Sequence, residues 1–375
     1  MRITRIRLYN FRNLHRLELE PAPGYNIIYG PNAAGKTNLC EAIYHAACGG
    51  LLKGERQRDL INWGADQALI ELELEADRIR VILERRAQAR RVELNGKRVS
   101  LKEIQQRLRV VSFTPDDLRL ITGRPRERRR FLDTALAELD WEYSHLRQRY
   151  DQVVRWKNAL LKRERCDEDL LQVYDQELLD LGAALIVRRL DYLRLLNATL
   201  AALGERLGLD GLGLALDYHG LRGLAEVEPH QEKVRELLKA ELARWAAMER
   251  RRGYALVGPH RDDLRFHQHQ RSAGGGEAID LGRFGSQGER RSALILIKLA
   301  QLELHRARYG DHPVLILDDL LSELDPARAE LLIAALPKDV QVFLTYTELT
   351  ERLRRLLGRA FHIAAGQLTS QEARA

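Results

Sequence analysis

The sequence predicts an α/β protein: the two ends of the chain form one head with mixed sheets, and the middle forms an inserted α-helical domain. Three patterns carry this prediction. A glycine-rich loop stands between an apolar strand and a helix near the N-terminus, a second apolar strand near the C-terminus ends in two aspartates, and leucines recur at helical spacing between them. We place the head at residues 1–123 and 254–375 and the inserted domain at residues 124–253.

Length and composition bound the class of protein. The chain has 375 residues, enough for about two domains, and 45% of them are hydrophobic, so real cores can be buried. We expect neither a membrane span nor a secretory signal, because no long apolar run is present. Three cysteines are too few for a disulfide framework, which favours a cytoplasmic protein. The net charge of +7 favours a polyanionic partner such as nucleic acid.

The N-terminal part of the head is predicted to be mostly strand. Hydrophobic residues alternate with polar ones around Ile6, Ile70 and Val81, as they do in half-buried strands. Asn95-Gly96 predicts a tight hairpin, because this pair supplies the positive φ angles that a type I′ turn needs.

The middle of the chain changes to helical periodicity. Leucines recur every three or four residues among charged side chains over residues 126–205 and 229–252, which predicts amphipathic helices. Such a block can form a bundle or a short arm, but not a very long coiled coil. Beyond it the sequence predicts a strand at 254–258, a turn at Gly274-Gly275-Gly276, a helix at 287–308 and buried strands at 314–317 and 340–344.

The glycine-rich loop matches the phosphate-binding pattern G-x-x-x-x-G-K-[ST]. It reads Gly30-Pro31-Asn32-Ala33-Ala34-Gly35-Lys36-Thr37. Because an apolar strand precedes it and a helix follows, its N–H groups are expected to converge on the phosphates of a bound nucleotide. Lys36 is predicted to contact the β- and γ-phosphates and to act in catalysis, and Thr37 to ligate Mg²⁺.

The strand at 314–317 ends in Asp318 and Asp319. Asp318 is predicted to hold Mg²⁺ through water, and Asp319 to be the catalytic carboxylate that polarises the attacking water. Since aspartate reaches less far than glutamate, we expect slow hydrolysis. Both motifs must touch one nucleotide, so the first and last thirds of the chain are expected to share a sheet, with the helical block inserted between them.

Arginine runs are candidate contacts to DNA phosphates, although a solvated helix start explains the first run equally well. The runs are Arg124, Arg126, Arg128, Arg129 and Arg130 in the helical block, and Arg85, Arg86, Arg90 and Arg91 near the predicted hairpin. Few aromatic residues interleave with them, which favours contacts to a duplex backbone over base stacking. His260, His267 and His269 are close in sequence, but we expect no metal site there.

Three further stretches are similar to motifs of ABC-type ATPases. They are residues 284–291, which resemble the signature sequence, residues 322–325, at D-loop spacing, and residues 10–13, where recombination-type ATPases carry an arginine. Together with residues 113–118, 128–133, 254–263 and 317–325, they make nearly the whole chain similar to the RecF family of bacterial recombination mediators.

The resemblance implies a P-loop, ABC-type ATPase head like that of Rad50, with ATP and Mg²⁺ as cofactors. It implies that Ser286, Gln287 and Gly288 bind the γ-phosphate of ATP held by the opposite subunit of an ATP-dependent homodimer, with Arg12 and Asp325 near the nucleotide. It implies weak, DNA-dependent ATP hydrolysis and binding to duplex DNA and single-strand/duplex junctions. It also implies work with RecO and RecR to load RecA at gaps, in SOS-linked repair and replication restart.

The chain departs from the family pattern at several places. Ala33-Ala34 stand where family members often have glycine and a polar residue, residues 49–54 lack the usual Ser-His-Arg, and no glutamine follows residue 113 as a further Mg²⁺ ligand. No histidine follows the strand at 340–344. A hydroxyl of Thr345 or Thr347 is therefore an alternative to Asp319 for positioning the attacking water.

Two other functions fit part of the sequence. One is a nucleotide-gated chromosome tether of the SMC type, although the helical insertion is too short for its long arms. The other is the nucleotide-binding subunit of a transporter, which the basic charge, the split head and the arginine at position 12 disfavour.

Overall fold

A computed structural model describes residues 1–52, 57–87, 89–163, 165–207, 213–224, 228, 230–269, 278–356 and 358–373. The predicted glycine turn at 274–276 and part of the segment 49–54 lie outside these residues. The chain divides into two compact units: Met1–Asp117 with Gln301–Ala375, and Leu118–Ala300. None of the helices in the described part of the chain combines the length and the apolarity that a bilayer crossing needs.

The strands and helices follow the chain in this order. The strands are β1 (Ile3–Phe11), β2 (Leu14–Leu19), β3 (Tyr25–Tyr29), β4 (Gln67–Leu74), β5 (Arg78–Glu84), β6 (Ala89–Leu94), β7 (Lys97–Arg98), β8 (Val110–Phe113), β9 (Leu214–His219), β10 (Asp263–His269), β11 (Ala278–Asp280), β12 (Val314–Leu317), β13 (Val342–Tyr346), β14 (Gly358–Ala364) and β15 (Gln367–Ala373). The helices are α1 (Lys36–Cys48), α2 (Leu101–Gln105), α3 (Pro125–Leu139), α4 (Trp141–Leu161), α5 (Glu168–Arg206), α6 (Gln231–Arg252), α7 (Gln287–Tyr309), α8 (Leu320–Glu323), α9 (Pro326–Ala335) and α10 (Glu351–Arg354).

The first unit packs α1 between two sheets. One sheet is antiparallel, in the order β2-β1-β4-β5-β6-β7, and the other has the order β15-β14-β3-β13-β12-β8. Inward-facing residues of both sheets and the apolar residues of α1 share one hydrophobic core, which includes Ile6, Ile43 and Phe343. The predicted hairpin is confirmed, because Asn95 and Gly96 join β6 to β7 with φ angles of +52° and +80°.

The second sheet brings the two ends of the chain together, as the motifs require. In it β3 pairs with β13 and β13 pairs with β12, each in parallel. The carboxyl ends of neighbouring parallel strands lie at one edge of a sheet, where α/β proteins bind their ligands. The glycine-rich loop after β3 and the two aspartates after β12 therefore reach the same edge.

The second unit combines helices α3 to α6 and the start of α7 with a small antiparallel sheet in the order β11-β10-β9. Residues 118–123 and 254–300, which the sequence prediction assigned to the head, belong to this unit. The reason is that β10 pairs with β9, which follows the long helix α5. The unit is thus mixed α/β rather than purely helical.

The strand predicted at 254–258 is wrong: the structure has a loop there. Its N–H groups bond to side chains instead of to a neighbouring strand. Ala255 N–H donates to Asn158 Oδ1 at 2.7 Å, and Leu256 N–H donates to Glu249 Oε1 at 2.6 Å. The buried Lys157 holds Glu249 in place, with 2.6 Å between its Nζ and the carboxylate. Side chains of α4 and α6 accept the hydrogen bonds that a neighbouring strand would otherwise accept. The apolar pattern alone therefore predicted a strand where the structure has a loop.

Candidate nucleotide-binding site

The glycine-rich loop follows β3 and ends at the first turn of α1. Two glycines make its path possible. Gly30 has φ +143°, and a β-carbon on it would lie 2.1 Å from the carbonyl oxygen of Ile363. Gly35 has φ +112°, and a β-carbon there would lie 2.7 Å from Leu14 Cδ2. The loop is therefore held between the turn after β1 and the strand β14, which fixes its shape.

Ala33 takes a backbone conformation that glycine adopts more easily. Its φ is +61°, in the left-handed region. Asn13 Nδ2 donates to the Ala33 carbonyl at 3.0 Å and stabilises this conformation from the turn after β1. Alanine at such a φ costs about 1 kcal/mol relative to glycine. The departure at Ala33 from the glycine common in the family thus has a cost in stability.

Lys36 lies buried inside its own loop. Its ammonium donates to the carbonyl oxygens of Gly30 at 2.8 Å and Pro31 at 2.9 Å. These bonds keep a full positive charge beside the N-terminus of α1, where phosphate oxygens bind in loops of this kind. The arrangement fits the role predicted for Lys36.

Thr37 and Asp318 meet, although they are far apart in sequence. The Thr37 hydroxyl donates to Asp318 Oδ1 at 2.8 Å, and Asp318 is fully buried. A hydroxyl and a carboxylate are hard oxygen donors of the kind that Mg²⁺ takes, alongside waters and phosphate oxygens. The pair fits the magnesium site that the sequence predicts.

Thr345, at the end of β13, positions both aspartates. Its hydroxyl donates to Asp318 Oδ1 at 2.9 Å and accepts the backbone N–H of Asp319 at 2.8 Å. Asp319 itself has φ +50°, a strained conformation for a residue with a side chain. The Thr345 hydroxyl thus links the Asp318 side chain to the backbone of Asp319. Thr347 contributes its carbonyl, which accepts the Gly30 N–H at 3.3 Å.

Arg12 is bound to a buried acid on α1. Its Nε and Nη2 donate to the two carboxylate oxygens of Glu41 at 2.8 and 3.0 Å, and Glu41 is only 1% exposed. Arg12 also has a left-handed backbone, with φ +53°. Arg12, which is predicted to lie near the nucleotide, therefore also links the turn after β1 to α1. Sequence reasoning missed Glu41, whose only signal is an acid within an otherwise apolar helix.

The predicted signature residues Ser286, Gln287 and Gly288 lie at the start of α7, in the second unit. The N–H of Ser286 donates to Glu289 Oε2 at 2.7 Å, and the N–H of Glu289 donates to Ser286 Oγ at 3.2 Å. This is a capping box. The hydrogen bonds from the Ser286 N–H and hydroxyl hold the pKa of Glu289 below its usual value. Sequence reasoning missed Glu289, although Ser-x-x-Glu is its signal.

Asp325, the predicted D-loop contact, is the N-cap of α9. It accepts the N–H of Arg328 at 3.1 Å and the Arg328 guanidinium at 2.6 Å. The Arg328 side chain holds the pKa of Asp325 below its usual value.

Several arginines of the candidate DNA-binding runs make contacts within the fold. Arg128 binds the Asp263 carboxylate at 2.6 and 2.7 Å, Arg129 donates to the Asp262 carbonyl, and Arg85 donates to the carbonyls of a nearby turn. Such pairing suits a structural role. Exposed side chains in the first run belong to Arg124, Arg126 and Arg130.

We expect Ala33→Gly to raise the unfolding midpoint, with a gain of about 0.5–1 kcal/mol, because glycine adopts the left-handed conformation without penalty. Ala34→Gly is the matched control. Ala34 is buried and is not among the residues with positive φ, so glycine there should lower the midpoint. Thermal unfolding of both variants measures this. A lower midpoint for Ala33→Gly would contradict the strain at this position.

We expect Arg12→Ala to destabilise the protein by about 3 kcal/mol, because it deprives the buried Glu41 carboxylate of its guanidinium. Adding Glu41→Gln should recover part of this loss, since the buried group is then neutral. Arg16→Ala, at an exposed position of β2, is the control and should change little. If Arg12→Ala melts like the wild type, the pair does not anchor α1.

Comparison with known proteins agrees with this geometry. Residues 2–358 match the family model described as the RecF/RecN/SMC N-terminal domain. The DNA replication and repair protein RecF of Symbiobacterium thermophilum is 38% identical over 98% of this chain and 97% of its own length. That of Desulforudis audaxviator is also 38% identical, over 99% of this chain and its full length.

Solved structures show the same relationship. The structure of the recombination mediator protein RecF with ATPrS, described in the RecFOR pathway, matches with a TM-score of 0.85 at 29% identity, covering 99% of this chain and 98% of its own. An SMC head bound to a domain of ScpA matches with a TM-score of 0.51 at 15% identity, which shows a common fold alone. The resemblance seen in the sequence is confirmed, and the chain, an ABC-type ATPase head with mixed sheets, belongs to the RecF family of DNA replication and repair proteins.

Proposed function

We propose that this protein is an ATP-dependent, DNA-binding recombination mediator that dimerises on ATP and hydrolyses it slowly. The observation that carries the proposal is the hydrogen bond between Thr37 and Asp318. It places the glycine-rich loop beside the aspartate that is predicted to hold Mg²⁺, so that both can contact one nucleotide. Membership of the RecF family supports the biological role: binding DNA at gaps or junctions in the cytoplasm, and work with RecO and RecR to load RecA.

Each residue of the site has a separate role in hydrolysis. The loop N–H groups and Lys36 bind the phosphates, and Thr37 and Asp318 hold Mg²⁺, which neutralises phosphate charge when bound. Asp319 accepts a proton from the attacking water. Thr345 orients both acids through its hydroxyl. Because the Asp319 carboxylate is short and its backbone is fixed in the left-handed region, slow turnover is expected.

Two copies of the chain would share each nucleotide. ATP bound to the Lys36 loop of one copy would meet Ser286, Gln287 and Gly288 of the other, at the start of α7, where helix N–H groups favour an anion. Arg12 and Asp325 would lie close to the shared nucleotide. Neither surface alone completes the site, so ATP joins the copies and loss of the γ-phosphate separates them.

We expect ATP to increase both dimerisation and binding to gapped duplex DNA, measured by light scattering and gel shift. Ser286→Arg should abolish the ATP-dependent dimer yet leave ATP binding near the wild-type value, because it blocks only the surface offered to the other copy. Lys36→Met should weaken ATP binding itself, whereas Lys36→Arg keeps the charge and binds better than Lys36→Met.

Two results would count against the function. Dimers of Ser286→Arg that persist with ATP would exclude the shared site. Equal affinity of the wild type for gapped DNA with and without ATP would exclude ATP-dependent DNA binding.

Glu289 would compete with the γ-phosphate for the Ser286 N–H, because its carboxylate already accepts a hydrogen bond from that group. Its lowered pKa keeps it ionised at neutral pH, so an incoming γ-phosphate meets a negative charge. We expect Glu289→Gln to tighten the ATP-dependent dimer roughly 3- to 10-fold, since glutamine can still cap the helix without the charge. Glu205→Gln, at an exposed position of α5, should leave the dimer unchanged when both variants are measured by light scattering with ATP. A weaker dimer for Glu289→Gln would mean that the carboxylate helps to bind.

A further inference from the structure

Trp63 is an exposed aromatic residue that the fold does not use. Its side chain is 94% exposed, although Leu60 and Ile61 just before it are buried in the core of the first unit. A tryptophan buries 150–250 Å² when it packs, so full exposure forfeits a large stabilisation. The indole is therefore available to a planar ligand that stacks on it.

The turn that carries Trp63 is rigid without any contribution from the indole. Ala65 N–H donates to the Asn62 carbonyl at 2.9 Å, which closes the turn. Asn62 Nδ2 donates to the Arg12 carbonyl at 2.7 Å, and Arg85 donates to the carbonyls of Asn62 and Ala65 at 2.9 and 3.0 Å. The indole is therefore presented on a fixed support, and a ligand that stacks on it pays little ordering entropy for the turn.

A cavity of about 450 Å³ lies beside the turn that carries Trp63. Asn62 and Gly64, the two neighbours of Trp63 in sequence, are among the residues that line it. The other lining residues are Asn10, His15, Ala65, Asp66 and Gln67. Amide and imidazole groups can donate and accept hydrogen bonds, and a carboxylate accepts them, so together they can pair with the donors and acceptors on the edge of a nucleobase.

The chemistry of this cavity selects the ligand. An apolar protein surface placed on Trp63 would cover Asn10, His15 and Gln67 without offering them hydrogen bonds, which is costly. A flat heterocycle with a polar edge satisfies both features at once. Arg86, 89% exposed, forms an ion pair with the exposed Asp66, which lines the cavity, with 3.6 Å between nitrogen and oxygen. Such a pair is weak in water, so the guanidinium can turn to a backbone phosphate.

We propose that Trp63 and this cavity bind an unpaired base of DNA, with the base stacked on the indole and its edge in the cavity. The inference rests on the proposed DNA binding and deepens it, because it assigns the single-stranded part of a junction to the first unit. It also revises the expectation from composition that bases are not stacked. That expectation came from the scarcity of aromatic residues within the arginine runs, and Trp63 lies outside those runs.

The test uses the full chain, a thymidine oligonucleotide of about 12 bases, and a duplex of the same length. Trp63→Ala should weaken binding to the single strand roughly 5- to 100-fold, the usual loss for one stacked base, and should leave duplex binding within about twofold. Single-strand binding should quench tryptophan emission in the wild type and much less in Trp63→Phe. Trp156→Phe is the matched control, since Trp156 is half-exposed in the second unit and stacks on Tyr174. It should retain the quenching and the affinity.

Three results would overturn the inference: unchanged single-strand affinity in Trp63→Ala, an equal loss on duplex, or quenching of Trp63 by ATP alone, which would assign the indole to the adenine. The melting midpoint of Trp63→Ala should equal that of the wild type, because the side chain is exposed, so a folding defect does not confuse the result. If the wild type binds no DNA of any kind, the proposed function fails and this inference with it. If it binds DNA and Trp63→Ala binds equally well, only this inference fails.

Discussion

The hydrogen bond between Thr37 and Asp318 forms because β3, β13 and β12 are neighbouring parallel strands of one sheet. β13 lies between the other two strands, so its end delivers Thr345 between the phosphate loop and the two aspartates. The site thus depends on strand order. The second unit is inserted between two segments of chain that pair with each other, and it leaves this sheet intact.

The sequence predicted the parts of the fold that local chemistry determines. Glycines at positions 30 and 35, the Asn95-Gly96 turn and the apolar strand before Asp318 each have a local physical reason, and each lies where it was expected. Prediction failed where partners come from distant segments. The 254–258 loop takes its hydrogen bonds from α4 and α6, and the carboxylates that bind Arg12 and Arg128 lie in other elements. The spacing of hydrophobic residues also cannot predict that the indole of Trp63 is exposed, because residues in a turn follow no regular alternation of buried and exposed positions.

Hydrogen-bond donors expected to contact ATP already have partners within the chain. Lys36 donates to carbonyls of its own loop, Arg12 is bound by Glu41, and the Ser286 N–H is bound by Glu289. These partners keep ionic groups satisfied, which avoids the cost of uncompensated charge. If these groups bind ATP as proposed, binding would exchange hydrogen bonds, and its net free energy would be smaller than the sum of the new contacts.

An exchange of this kind suits the proposed dimer, which ATP would hold together until it is hydrolysed. If the start of α7 had no hydrogen-bond acceptor within its own chain, loss of the γ-phosphate would leave its N–H groups without a protein acceptor. Opening of the dimer would then be less favourable. Since Glu289 accepts the Ser286 N–H in the single chain, the proposed cycle would regain this hydrogen bond when the phosphate is lost and the copies separate. In the proposed cycle, the capping box would favour release after hydrolysis, and slow hydrolysis at Asp319 would set how long the two copies stay joined.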